Sequence, residues 1–94
     1  MAIHMVTWNL NREPAYEVKR QAFIEHINRY ANVRDPSLET VRWVESAGTA
    51  EQMSADLLSK LDKNDSLFVT QVLLGQHQGW LNQEVWNWIN ARLR

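Results

Sequence analysis

Ser37-Leu38-Glu39-Thr40-Val41-Arg42-Trp43-Val44-Glu45-Ser46-Ala47-Gly48-Thr49 is the stretch on which the fold turns. Its middle alternates, with Val41 and Trp43 on one side and Thr40, Arg42 and Val44 on the other, as a half-buried strand does. Read as a single strand, it makes the chain a strict alternation of three strands and three helices, which suggests a thin parallel sheet. Read as two short segments or one bent segment, it supplies the extra strand that an antiparallel α+β sheet needs, and periodicity by itself leaves both readings open.

The neighbouring elements follow from periodicity. On the N-terminal side, Ile3 to Leu10 splits into Ile3, Met5, Thr7 and Asn9 against His4, Val6, Trp8 and Leu10, a strand with both faces largely covered. Pro14 stops it and suits the first turn of a helix. That helix is predicted from about Ala15 to Ala31, with Tyr16, Phe23, Ile27 and Tyr30 on one stripe and Lys19, Arg20, Glu25 and Arg29 in solvent. On the C-terminal side, Thr49-Ala50-Glu51-Gln52 has the form of a capping box. The helix it opens turns Met53, Leu57, Leu58 and Leu61 inward. Ser66 to Leu74 is the most apolar strand, which predicts a central place in the sheet. After the loop Gly75 to Gly79, a short helix starts near Asn82 with Val85, Trp86, Ile89 and Leu93 inward.

At 94 residues, with 45% of them apolar and 22% charged, the chain makes one domain, residues 1–94. Ten Lys and Arg against eleven Asp and Glu leave a formal charge of −1, so no general basic field draws it to nucleic acid or anionic lipid. Residues 35–65 carry three bases and seven acids and form the acidic part. There is no Cys, hence no disulfide, thiolate cluster or thiol nucleophile. No basic leader opens the chain and no apolar run approaches the roughly 20 residues of a membrane span, so the expected place is the cytoplasm.

The opening strand Ile3 to Asn11, Glu-Thr-Val-Arg-Trp-Val at Glu39 to Val44, Gly48 to Met53, Leu61 to Val69, and the terminal Gly79 to Leu81 and Val85 to Ile89 together resemble the small SinR-like proteins. These are grouped with the CRISPR-associated spacer-acquisition small subunit and the virulence-associated D toxins. The resemblance covers nearly the whole chain and implies a ferredoxin-like antiparallel sheet, helices packed on one face and a short C-terminal helix. It also implies a homodimer associated with RNA or DNA. In that superfamily the position of Asn9 usually holds an Asp, proposed to bind a divalent ion with its dimer mate. An Asn amide offers a hard cation only a neutral carbonyl. Asn9 is therefore carried over as a polar contact point without a catalytic role. No helix-turn-helix with a basic recognition helix is visible.

Asn9, Asn11 and Arg12 cluster where the first strand ends and, with Arg42 if it shares the open face, are the candidate nucleic-acid contacts. Turn chemistry for the two Asn, and an ion pair of Arg42 with Glu39 or Glu45, are the plainer alternatives. His4, His26 and His77 lack metal-ligand spacing, and the three Gly form no phosphate loop, so neither a metal nor another cofactor is expected. Of the five Trp, Trp80, Trp86 and Trp88 are the candidate interface residues. Trp86 and Trp88 sit about 200° apart on a helix, which predicts that one of them meets solvent or a partner.

The functional expectation is a homodimeric, nucleic-acid-associated interaction module that is non-catalytic or weakly catalytic. One alternative is a metal-dependent endoribonuclease or toxin using a replacement carboxylate such as Asp65 or Glu13. Another is a protein-partner binder or antitoxin-like element, suggested by the acidic middle.

Overall fold

A computed structural model describes residues 1–93. The elements run β1 (Ala2–Asn9), α1 (Tyr16–Ile27), β2 (Asn32–Val33), β3 (Val41–Ser46), α2 (Ala50–Leu58), β4 (Ser66–Gln71) and α3 (Gln83–Arg92). The sheet order is β2-β3-β1-β4 and every neighbouring pair is antiparallel. Each half is a strand–helix–strand unit whose two strands are separated by one strand of the other half, which is the ferredoxin-like α+β arrangement.

The extra strand is present, in a different place. Residues 37–49 hold one strand, β3, and the fourth strand is the two-residue β2, just beyond Ala31, where periodicity ends the first helix. Two residues are too few to show a period-2 pattern. Tertiary bonds hold them there: the Glu45 amide donates to the Ala31 carbonyl at 2.9 Å, and the Arg42 guanidinium donates to Asn28 Oδ1 at 3.0 Å and Asn32 Oδ1 at 2.8 Å. Arg42 thus closes the corner between α1 and β2.

The second correction concerns β4, which is an edge strand; β1 and β3 are central. Its apolar run reflects two separate uses. Leu67 and Val69 pack into the helix-side core, while Phe68 faces the other way and is 60% exposed.

The alternation of β1 divides the protein into layers. Val6, Trp8 and Leu10 meet Phe23 and Ile27 of α1, Met53 and Leu57 of α2, and Val44, with the Trp8 and Phe23 rings tilted at 4.9 Å. Ile3 and Met5 turn to the other side, where Trp43, Val85 and Ile89 join them under α3. α1 and α2 thus cover one face, and the C-terminal helix sits on the second. α2 begins with the expected capping box, the Gln52 amide donating to Thr49 Oγ1 at 3.1 Å and the Thr49 amide to Gln52 Oε1 at 2.9 Å. Leu58, inward by spacing, is exposed as the last residue of α2. α3 has no side-chain cap of its own; instead the Asn82 amide donates to buried Asp35 at 2.8 Å, tying the start of α3 to the β2–β3 connection. Among the described residues, no helix is long and apolar enough to cross a membrane.

Candidate functional site

The two ends of the second sheet face differ in cover. α3 packs over the end that carries Ile3. Beyond it, the register sets Thr7 opposite Phe68 and Val41, and Asn9 opposite Ser66, so these side chains share one face. Asn9 and Ser66 are exposed, Thr7 and Val41 half-buried, and Phe68 stands out among them. The result is a small aromatic patch with a polar border on an otherwise open half-sheet, next to the unpaired outer edge of β4.

Asn9 stands at the far end of this patch, and Asn11 and Arg12 follow it in the β1–α1 connection, where Arg12 leans on Tyr16, a residue packed against the helix-side core. The Asn11 amide donates to Asp65 Oδ1 at 2.8 Å, its side-chain nitrogen donates to Glu13 at 3.3 Å, and the Arg12 guanidinium lies over the Tyr16 ring at 4.4 Å. Arg12 is thereby oriented yet remains exposed. Arg42 is not with them: opposite Val6 in the register, it projects to the helix-covered face and is buried. Burial, then the positive charges of Arg34 and Arg20, lower its pKa. Neither Glu39 nor Glu45 pairs with it; its partners are Asn28 and Asn32.

Asp65 and Glu13, the carboxylates that a metal-dependent reading needs, are engaged with Lys19. Its ammonium lies 2.9 Å from Asp65, 3.0 Å from Asp62 and 3.6 Å from Glu13. The Asp65 side chain has no exposed surface. Burial alone would push its pKa up, but the amides of Asp62 and Asn11 and the Lys19 ammonium outweigh burial and hold it below the ordinary carboxylate range. Hydrogen bonding to Asp65 in turn raises the Lys19 pKa. Asp65 therefore knots the β1–α1 turn to the α2–β4 connection. Among the described residues, no three His, Asp or Glu side chains gather as a metal site.

The tryptophans part company. Trp80 is 99% exposed just before α3. Trp86 and Trp88 are both half-buried despite their angular separation: Trp86 stacks on His77 with ring centres 5.9 Å apart, and Arg92 lies over Trp88 at 3.9 Å. The Gly75–Gly79 loop and the Arg92 guanidinium thus each cover part of one ring, and both rings stay partly exposed.

Three features escape the sequence reading. Phe68 is foreshadowed only by parity, since inward Leu67 and Val69 leave it outward. Asp35 stands in a turn signal, and nothing local marks it as an anchor 47 residues from its partner Asn82. His4 is fully buried on the helix side with neither ring nitrogen hydrogen-bonded, and burial lowers its pKa, keeping it neutral.

No family model, curated protein or solved structure matches this chain.

Proposed function

We propose that this chain works in the cytoplasm as a homodimeric interaction module, non-catalytic or weakly catalytic, with nucleic acid as its ligand. The observation that carries the reading is Phe68, 60% exposed in the middle of an edge strand, on the half of the sheet that α3 leaves open. An exposed aromatic on a flat face beside a strand with free amides and carbonyls is a surface that proteins cover. A second copy applied by a two-fold axis covers both at once.

Asn9, Asn11 and Arg12 then border the contact, where amide donors and an exposed guanidinium suit phosphate and sugar oxygens. The formal charge of −1 makes that binding local, and with one guanidinium among the three contact residues its salt dependence is shallow. Asn9 supplies no anionic oxygen for a divalent cation, and the nearby carboxylates are tied to Lys19, which favours binding over cleavage.

Sedimentation equilibrium at about 100 μM tests the assembly: wild type sediments as a dimer, and Phe68→Glu weakens the dimer by roughly 100-fold, equivalent to about 2.7 kcal/mol. Fluorescence anisotropy with single-stranded RNA and DNA at two salt concentrations tests the ligand, with Arg12→Ala weakening binding. A monomeric wild type removes the subunit contact, and nucleic-acid silence at low salt removes the ligand.

A further inference from the structure

Below the open patch, the same sheet face holds a cavity of about 350 Å³ between the strands, α3 and the segment following β4. Its floor is Met5, Trp43 and Thr70, and Trp86 and Ile89 form the α3 wall. Gln76, His77 and Gln78 form the cover. We propose that this cavity binds a small, uncharged aromatic heterocycle that carries a hydrogen-bond donor. The proposal does not rest on dimer formation or on nucleic-acid binding.

Charge is the first argument. In a chain whose residues are 22% charged, no Asp, Glu, Lys or Arg lines this cavity, whereas four other hollows each include at least one. An ionic ligand would leave its hydration shell here with no counter-charge to meet it. An uncharged one would gain from the apolar walls without that cost.

Size and shape give the second argument. The volume is at the low end of the roughly 300–1,000 Å³ of small-molecule sites, enough for one or two fused rings. Trp43, Trp86 and the His77 ring stacked on Trp86 present aromatic surface, which favours a flat π-system over an aliphatic chain.

The third argument is a preset acceptor. His77 Nδ1 lies 2.9 Å from the Leu73 carbonyl, and since a carbonyl can only accept, Nδ1 carries the hydrogen. In the neutral ring, Nε2 is then left with a free lone pair that a ligand N–H or O–H can meet. The cover is braced beforehand. The Gln76 amide donates to the Leu73 carbonyl at 3.0 Å, closing a turn whose third residue, Gly75, has φ +77°, a conformation suited to glycine. The walls are thus organised before a ligand arrives.

Titration of ¹⁵N-labelled protein with indole, followed by amide and indole N–H resonances, tests the site. Saturable shifts are expected at Thr70, Gln71, His77 and Trp86. 1-Methylindole, which lacks the donor, binds several-fold more weakly, and indole-3-acetate, with the same ring and a carboxylate, at least tenfold more weakly. Thr70→Trp fills the cavity and abolishes the shifts; His77→Phe keeps the stack on Trp86 and erases the preference for indole over 1-methylindole. Shifts centred on Phe68 or Trp80, equal binding of indole-3-acetate, or a folded Thr70→Trp that still binds indole overturns the proposal. If Thr70→Trp does not fold, His77→Phe decides: an unchanged indole preference overturns it. Sedimentation of the same samples keeps this outcome separate from the subunit contact.

Discussion

The two faces of one sheet are finished differently. On the face under α1 and α2, Val6, Phe23, Ile27, Val44 and Leu57 are fully buried, and Arg42 finds fixed partners in Asn28 and Asn32. On the face under α3, burial is complete only around Ile3, Val85 and Ile89; outward from there come a cavity, and then Phe68 in the open. The same strand, β1, supplies both faces from alternate residues. The first face therefore holds the fold together, and the second has apolar surface left over for binding.

That contrast can be broken from either side. The largest effect is expected from Phe23→Ala, which removes a buried ring packed on Trp8 and should cost about 3–5 kcal/mol in denaturant unfolding. A loss under 1 kcal/mol would mean that the helix-side core is looser than its burial implies. Next, Asp35→Ala releases the start of α3: Tm falls, and amide exchange of Val85 to Ile89 accelerates while that of Phe23 and Val44 does so much less. Uniform acceleration would show that the two faces unfold as one. Thr49→Ala removes the capping box of α2 and should cost about 1 kcal/mol, read by thermal unfolding.

Acid acts in two windows. His4 has a folded pKa below its unfolded value near 6.5, so the unfolded state takes up protons first and stability falls as pH drops below about 6.5. Asp35, Asp56 and Asp65 have folded pKa values below their ordinary carboxylate range, so their contribution is present above about pH 4 and lost as pH falls through the folded values. Unfolding midpoints against pH should thus show a shallow decline and then a steeper one, and His4→Leu should erase the first. The smallest effect is expected from Phe68→Ser at concentrations where the protein is monomeric. With the ring already in water, stability should move by no more than about 0.5 kcal/mol. A larger loss would place Phe68 in the packed structure and weaken the case for a contact surface.

Much of the architecture was legible because it is written in local periods. The opposed sets of β1, the stripe of α1 carrying Phe23 and Ile27, the Thr49 capping box and the inward Val85 and Ile89 all rest on spacing within one element. β2 was not legible, because its two residues are held by Arg42 and Glu45 from another strand. The candidate site was read unevenly. Asn9, Asn11 and Arg12 are near one another because they adjoin in sequence, whereas the place of Arg42, on another strand, depends on register. Helical angle predicts that one of Trp86 and Trp88 meets solvent or a partner; both are half-buried, with His77 stacked on one and Arg92 over the other.

Sequence alone therefore determined that strands and helices mix along the chain, which residues share a face of each long element, and the lack of any cysteine chemistry, because composition and period are properties of neighbouring residues. Only the tertiary structure decided that β4 is an edge strand, that Asp35 anchors α3, that Asp65 is saturated by Lys19, and that a cavity and an exposed Phe68 share the second face. Those facts depend on which distant segments meet, and chain closure over 40 or more residues leaves no mark on the local pattern.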